Sequence, residues 1–328
     1  MRTAVRFPAV PAERGHYESF YLKAAAPEGG RAIWIRHTIH RRPGEPATAA
    51  VWLTWFDRER GRPRAMKRQF GEAELSFPGG EYVRVDGAEI GPGGARGSVA
   101  ISDGSASWEL GFSDRAEPLR HLPAEWMYGA ALPRTKLLTP HPAAVFSGVL
   151  TIDGEPVPID GWPGMVGHNW GSEHAATWIW IHAPLGEAGS GDYIDIGAGR
   201  VRIGPALTPW VANGQIVLGG RAHRLGGLGA VRRSRVEAEP MACRFVLPGD
   251  GVRVEGSVSA PRDRFVGWLY ADPGGGTHNS LNCGIADMRL AVSAGGPVER
   301  IEVDGAATYE HGTTDSSHGI AIEPFPDG

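Results

Sequence analysis

Residues 32–40 read AIWIRHTIH and residues 49–56 read AAVWLTWF, and these two runs decide the fold class. Both are rich in β-branched and aromatic residues, which suit the half-buried surface of a pleated sheet. The residues between them, RRPGEPAT, include two prolines and a glycine, which favour a turn or loop. The pattern therefore predicts two strands that form a hairpin or lie as neighbours.

The composition of the 328-residue chain extends this pattern. It contains 48 Gly and 26 Pro, the residues least suited to helix interiors, together with 41% hydrophobic residues and 11 Trp. Strand-like runs recur about every 8–12 residues, separated by turn signals such as DGS, DGE and PGDG. No window longer than about 12 residues has a helical period, and only residues 124–131 suggest a short helical turn. The sequence predicts an all-β protein.

One loop is the best candidate for a domain boundary. The stretch GEAGSG, residues 186–191, follows a strand dense in motifs and precedes a strand-rich half of similar size. We therefore predict an N-terminal β-domain over 1–185, which carries the motifs described below, and a C-terminal β-barrel over 186–328.

The charge pattern limits the classes of partner. The formal net charge is −4 with both signs mixed along the chain, and no basic tract is present of the kind that tracks phosphates, which argues against nucleic acid. The N-terminal residues lack the apolar core of a signal peptide, and no apolar run approaches the roughly 20 residues that span a bilayer. We predict a cytoplasmic protein without an integral membrane segment. The sequence does not indicate its oligomeric state.

Common catalytic motifs are missing from the sequence, including GxSxG, HExxH and GxxxxGK. One segment stands out instead: residues 161–197 read GWPGMVGHNWGSEHAATWIWIHAPLGEAGSGDYIDIG and hold four Trp and three His. Alternate residues on a strand share a face. Trp178, Trp180 and His182 therefore share one face of their strand, and Tyr193 and Asp195 share one face of the next.

If the face of Tyr193 and Asp195 points into a barrel, the carboxyl group of Asp195 lies among aromatic rings. Burial there favours the neutral acid, which can donate a proton to a weak base. Aromatic faces stabilise a nearby cation by about 0.5–2 kcal/mol each. An acid and an aromatic box are suited to protonating a C=C bond.

Simpler interpretations of the same residues remain open. Aromatic residues that alternate on a strand also form ordinary barrel core, and the acids of a YxD pair can end a strand or face water. His168, His174 and His182 are spaced by six and eight residues, which matches no common zinc pattern. The two cysteines, Cys243 and Cys283, form no CxxC motif. We predict neither a metal nor a cofactor.

A family resemblance is visible at this segment. Residues 133–154, PRTKLLTPHPAAVFSGVLTIDG, and residues 167–183, GHNWGSEHAATWIWIHA, carry an HxWG motif, a WxW motif and, further on, a YxD motif at 193–195. The chain resembles the lipocalin-like carotenoid 1,2-hydratase (hydroxyneurosporene synthase) and AttH-type superfamily, which is related to tocopherol cyclases and lipocalin-type Diels–Alderases. The resemblance implies tandem lipocalin-like β-domains with a hydrophobic ligand site at or between them. It also implies a catalytic group of His168, Trp170, Tyr193 and Asp195, with Asp195 as proton donor.

We therefore predict an enzyme that acts on a hydrophobic unsaturated molecule of the terpenoid or polyene type. Asp195 protonates a C=C bond while His168 and Tyr193 hold it by hydrogen bonds, and hydration or cyclisation follows. The predicted substrate-binding residues are Trp170, Trp178, Trp180 and His182. A pericyclase and a non-catalytic carrier of an apolar ligand are the alternatives, and neither requires Asp195 as an acid.

Overall fold

The computed structural model describes residues 4–80 and 82–327, and it is 61% strand and 6% helical. The strands of the first half are β1 (His16–Ala25), β2 (Arg31–Arg41), β3 (Thr48–Asp57), β4 (Arg64–Gly71), β5 (Leu75–Ser76), β6 (Val83–Val85), β7 (Ala88–Gly91), β8 (Gly94–Ile101), β9 (Gly104–Ser113), β10 (Leu119–Arg120), β11 (Thr135–Ile152) and β12 (Glu155–Gly171).

The strands of the second half are β13 (Thr177–Pro184), β14 (Tyr193–Arg200), β15 (Arg202–Ile203), β16 (Ala206–Leu207), β17 (Val211–Leu218), β18 (Arg221–Gly226), β19 (Arg235–Glu239), β20 (Ala242–Pro248), β21 (Arg253–Ser259), β22 (Val266–Ala271), β23 (Thr277–Ser293) and β24 (Glu299–Thr313). The helical segments are short 3₁₀ turns at Phe7–Ala9, Glu72–Glu74, Pro78–Gly80, Glu125–Tyr128, Leu228–Ala230 and Arg262–Arg264.

The predicted hairpin and the predicted helical turn are both present. β2 and β3 pair antiparallel over their whole length, and the loop between them contains Gly44 at a φ of 75°, a conformation that glycine adopts without steric cost. The helical turn expected at 124–131 is the 3₁₀ segment Glu125–Tyr128. The all-β prediction is confirmed, because a nearly closed barrel and a half-barrel sheet together make up the fold.

Both large sheets are antiparallel along their main paths. The first runs in the order β4-β3-β2-β1-β12-β11-β9-β8-β7-β6-β5, and β10 pairs with β11. The second runs in the order β18-β17-β14-β13-β24-β23-β21-β20-β19, and β22 pairs with β23. Alternation along β1 sends Phe20 and Leu22 into the core enclosed by the first sheet, and Tyr21 and Lys23 towards the second sheet.

The chain passes from the first sheet to the second between Gly171 and Thr177. β13 carries the WxW motif and pairs with β14 and β24, whereas the HxWG motif ends β12 of the first sheet. The predicted N-terminal domain holds both motifs, whereas the backbone hydrogen bonds of β13 place the WxW motif in the second sheet. The division into domains 1–185 and 186–328 stays a prediction.

The two sheets pack directly on each other. The ring of Trp268 on β22 lies 5.0 Å from that of Trp52 and 6.3 Å from that of Trp34, and the Lys23 Nζ donates to the Ala306 carbonyl at 2.6 Å. This interface contains the candidate site. Within residues 4–80 and 82–327, no helix has the length and apolar character needed to cross a membrane.

Candidate functional site

The side chains that the sequence placed on shared faces do share them, and those faces look towards the first sheet. Ile194 and Ile196 of β14 lie in the core of the second sheet, so Tyr193 and Asp195 project from the opposite side. Gly197 continues that side of β14. A Cβ atom there would lie 2.7 Å from Leu137 Cδ2, so the glycine allows β14 to approach β11 closely.

Asp195 is completely buried at this approach. Its Oδ2 accepts a hydrogen bond from Thr139 Oγ1 at 2.7 Å, and its Oδ1 accepts one from Trp180 Nε1 at 3.1 Å. His121 Nε2 lies 3.5 Å from Oδ2. The predicted hydrogen bonds from His168 and Tyr193 to Asp195 are wrong, because His168 Nε2 binds Glu18 and the Tyr193 hydroxyl binds Gln215.

Thr139 connects Asp195 to His121. His121 Nε2 lies 3.2 Å from Thr139 Oγ1, and His121 Nδ1 lies 3.3 Å from the Asn213 carbonyl oxygen. A carbonyl oxygen only accepts, so Nδ1 carries a hydrogen. One further proton can then reside on His121 Nε2 or on Asp195, and Thr139 reverses its hydroxyl direction between the two states. The three side chains are therefore arranged so that a proton can pass between His121 and Asp195.

The environment of Asp195 favours the ionised carboxylate. Burial raises its pKa, but the nearby His121 and His182 and the hydrogen bonds from His121 and Thr139 together outweigh burial. The pKa of Asp195 is therefore lower than its ordinary value. The sequence alone predicts the neutral acid, because burial by itself favours it. The difference arises because hydrogen-bond partners from β11 and from residue 121 reach this carboxyl group.

His182 and Tyr193 form the wall beside Asp195. His182 is the cross-strand neighbour of Asp195, and its ring stacks on that of Tyr193 with centroids 6.4 Å apart. His182 Nε2 donates to the Pro142 carbonyl at 3.0 Å, which leaves the Nδ1 lone pair as an acceptor. Burial lowers the pKa of His182 to about 4, so the imidazole is neutral at neutral pH. Gln215 Nε2 donates to the Tyr193 hydroxyl at 2.6 Å.

An aromatic pair covers the other side of Asp195. The ring of Tyr21 on β1 meets Trp180 edge-on at 5.4 Å, and Met165 packs with both. Gly167 makes room for this ring, because a Cβ there would lie 2.2 Å from Tyr21 Cζ. The first glycine of the segment GHNWG thus positions Tyr21 against Trp180.

Trp178 belongs to a neighbouring polar group on the same strand face. Its Nε1 donates to Glu310 Oε1 at 2.8 Å, and its ring stacks on His174 at 5.5 Å and on Tyr270 at 6.0 Å. Trp178 therefore extends the interface away from Asp195, since its own partners are Glu310, His174 and Tyr270. It can line a ligand that reaches beyond Trp180.

His168 and Trp170 lie in a separate buried group on the inner side of the first sheet. His168 Nε2 donates to Glu18 Oε1 at 2.8 Å, and the His168 ring stacks on Phe20 at 4.1 Å and lies tilted against Trp170 at 4.5 Å. The guanidinium of Arg6 lies 4.9 Å above Trp170. The structure thus brings Asp195, Tyr193, Trp180 and His182 together and gives His168 and Trp170 different partners.

Several residues of the site are not predicted from the sequence: Tyr21, His121, Thr139 and Gln215. Thr139 lies within the stretch 133–154 that carries the family resemblance, which was the only available signal for it. His121 directly follows the short strand β10 and belongs to no motif. Both reach Asp195 only through the packing of β11 and β14.

Other features of the described chain lie apart from Asp195. Cavities of about 200 Å³, beside Trp55 and Asp57, and of about 400 Å³, beside Trp210 and Val236, open elsewhere. Over residues 4–80 and 82–327, no three His, Cys, Asp or Glu side chains form a group that could hold a metal ion. The expectation of no metal and no cofactor stays a prediction.

Comparison with known sequences gives relatives without an assigned activity. No protein-family profile matches the chain. Two uncharacterized proteins of Mycobacterium tuberculosis, from strains CDC 1551 and H37Rv, are each 29% identical over 195 residues, which is 58% of this chain and 56% of the relative. The match thus spans little more than half the length of these curated relatives.

Comparison with solved structures identifies the fold. An AttH-like protein of Nitrosomonas europaea superposes with a TM-score of 0.54 at 16% identity, covering 94% of this chain and 97% of that one. Kievitone hydratase of Nectria haematococca superposes with a TM-score of 0.53 at 11% identity, covering 95% and 93%. The chain has the fold of both proteins. The resemblance drawn from HxWG, WxW and YxD is confirmed at the level of fold.

Proposed function

We propose that this chain is a hydratase-type enzyme that protonates a C=C bond in a hydrophobic unsaturated small molecule, with Asp195 as the immediate proton donor. The relay of Asp195, Thr139 and His121, buried against Trp180 between the two sheets, is the observation that carries the proposal. The fold shared with kievitone hydratase supports the same class of reaction.

The first step transfers a proton from the acid form of Asp195 to one carbon of the double bond. The π electrons form the new C–H bond, and positive charge develops on the other carbon. The faces of Tyr21 and Trp180 stabilise such a cation, each by about 0.5–2 kcal/mol. Tertiary and conjugated cations form most readily, which favours prenylated, terpenoid or polyene substrates.

The relay supplies the acid form. The carboxylate is the preferred state of Asp195, and a protonated His121 returns the proton through Thr139 when a substrate is bound. When a bound substrate separates Asp195 from bulk water, Asp195 receives its proton from His121 and not from solvent. Because the two end groups share one proton, the pH dependence of the rate reports the pair.

The second step consumes the cation. Water adds to the cationic carbon, and the resulting oxonium loses a proton to the Asp195 carboxylate or to the lone pair of His182 Nδ1. The balance is one water added per double bond. A substrate with an internal nucleophile instead closes a ring without a change in mass. In both cases the proton transfers use side chains of this chain alone.

A labelling experiment tests the proposal. A panel of prenylated phenols and polyenes is incubated with the protein in D₂O and followed by mass spectrometry, which separates hydration from cyclisation. Asp195→Asn removes the acidic proton at nearly unchanged volume, and we expect deuterium incorporation to fall by about 10²–10⁴. Asp192→Asn is the matched control, because Asp192 precedes the same strand and binds only the exposed backbone at Gly219 and Gly220.

Binding of the same compounds, followed by Trp fluorescence, should differ little between Asp195→Asn and the wild type. A folded Asp195→Asn protein with unchanged turnover would defeat the acid mechanism and favour a pericyclase. Binding without turnover in the wild type would favour a carrier.

A further inference from the structure

Arg36 is a nearly buried cation at the interface of the two sheets. It projects from β2 towards the second sheet with 5% of its surface exposed. Its guanidinium carbon lies 4.1 Å from the ring centre of Tyr270, 5.2 Å from that of Trp52 and 5.8 Å from that of Trp34. Three aromatic rings thus form a cage around the positive charge.

The cage leaves one buried nitrogen of Arg36 without a hydrogen-bond acceptor. Within residues 4–80 and 82–327, Arg36 has neither a hydrogen-bonded nor an ion-paired carboxylate, and its Nη1 is buried without an acceptor. Cation–π contacts fix the position of the guanidinium but give the Nη1 hydrogens no acceptor. A nearly buried charge without a directly bonded carboxylate is costly, so its retention calls for an explanation.

The carboxylates of this region are committed to other partners. Asp272 accepts from His174 at 2.7 Å and from His278 at 3.0 Å. Glu310 accepts from Trp178 and from Asn282, and Asp327 accepts from Lys67 at 2.8 Å. The guanidinium therefore has donors to offer to an acceptor that the protein does not supply.

Tyr21 lies between this cage and the Asp195 site. Tyr21 on β1 and Arg36 on β2 are directly opposite each other in the antiparallel pair, so their side chains share a face. The Tyr21 ring contacts Trp180, whose Nε1 donates to Asp195. A continuous line of side chains therefore runs along the interface from the cation at one end to the proton relay at the other.

We propose that Arg36 is the anion-binding end of the ligand site, and that its ligand is an amphipathic unsaturated acid. The carboxylate pairs with the Arg36 guanidinium, and the apolar chain passes Tyr21 to present its double bond at Asp195. The proposal names the substrate class of the site described under Proposed function and rests on that site. It requires binding only, so it can be tested without turnover.

Two polyenes that differ in charge at one end provide the probe pair, retinoic acid and retinol. Binding is followed by the quenching of Trp fluorescence. We expect the wild type to prefer the acid over the alcohol. In Arg36→Met, which keeps an apolar side chain in the cage, affinity for retinoic acid should fall about 10- to 100-fold, since a hydrogen bond to a charged group is worth about 1.5–3 kcal/mol. Affinity for retinol should stay within about twofold.

Arg60→Met is the matched control, because Arg60 is 59% exposed and pairs with Glu155 at the surface. It should leave both affinities unchanged. Equal weakening of acid and alcohol in Arg36→Met would overturn the proposal and assign Arg36 to packing. A wild type that binds the acid no better than the alcohol would overturn it as well.

Two further measurements keep the test decisive. Removing an unpaired buried charge should leave the melting temperature of Arg36→Met equal to or above that of the wild type, whereas a clear drop would make Arg36 a structural cation. If that variant fails to fold, the wild-type preference for retinoic acid over its methyl ester decides instead. Asp195→Asn should retain the preference, so failure of the acid mechanism and failure of the anion subsite give different results.

Discussion

Two buried carboxylates, Glu18 on β1 and Asp195 on β14, each lie beside a histidine, yet they are bonded in different ways. Glu18 accepts from the backbone N–H groups of Arg6 and Phe7, from His168 and from His16, at 2.7–3.3 Å. Every lone pair of Glu18 has a donor. The group ties β12 and the N-terminal 3₁₀ turn to β1.

Asp195 accepts fewer hydrogen bonds than Glu18. Two neutral donors, Thr139 and Trp180, bind its oxygens. His121 Nε2 lies 3.5 Å from Asp195 Oδ2 and is also linked to it through the Thr139 hydroxyl. A carboxylate whose lone pairs all accept hydrogen bonds has a structural role, because protonating it breaks several of these bonds at once. A carboxylate on a reversible relay can exchange a proton at little cost. The bonding around the acid, and not its burial, separates the two roles.

The largest effect that this contrast predicts is on stability. Glu18→Ala strips the acceptor from two backbone N–H groups and from His168, and we expect the free energy of unfolding to fall by about 3–5 kcal/mol. Asp195→Ala removes the acceptor of Thr139 and Trp180, while Thr139 keeps its contact with His121, so it should cost less, about 1–3 kcal/mol. Guanidinium unfolding curves measure both. Equal losses would remove the distinction between the two acids.

The same contrast has a pH signature. Burial raises the pKa of Glu18, but its hydrogen bonds to His16 and His168 outweigh burial and lower it from 4.5 to about 2. The native state thus binds its proton less readily than the unfolded chain. The contribution of Glu18 is complete above pH 4.5 and is lost as the pH falls towards 2, by about 3 kcal/mol. In Glu18→Gln, the free energy of unfolding should no longer show this decrease between pH 4.5 and about 2.

The next effect is on turnover. Thr139→Val keeps the shape of the side chain but breaks the path from His121 to Asp195, and we expect the rate of deuterium incorporation to fall about 10²-fold, the lower end of the range for a positioned acid. Thr151→Val on the same strand is the matched control. An equal loss of ligand affinity would show that Thr139 shapes the site and carries no proton.

The smallest predicted effect is at Tyr193. Tyr193→Phe removes the acceptor of Gln215 Nε2 and leaves the proton relay intact, so turnover should fall less than about tenfold, in keeping with one neutral hydrogen bond. Steady-state rates with the compound that turns over in the labelling panel measure this. A loss of turnover as large as that of Asp195→Asn would show that Tyr193 takes part in the proton transfer and does not merely support it.

The sequence by itself determined the strands and the faces of their side chains. The runs at 32–40 and 49–56 predicted β2 and β3, and alternation predicted that Tyr193 and Asp195 share a face, as Trp180 and His182 do. These properties depend on backbone preference and on a side-chain period of two, both of which act within a few residues. The motifs around Trp170 and Trp180 also pointed to the fold, since the arrangement of strands is what distant relatives share.

Only the tertiary structure decided which groups meet Asp195. Thr139 precedes it by 56 residues and lies on another sheet, so no local pattern links them. The packing of β14 on β11 at Gly197 brings them together, and the same packing brings His121 close enough to lower the pKa of Asp195 where burial alone would raise it. His168 binds Glu18 and not Asp195 because its position on β12 directs the side chain to the inner face of the first sheet. A proton's position depends on every donor and charge around it, and those are set by contacts between strands far apart in the chain.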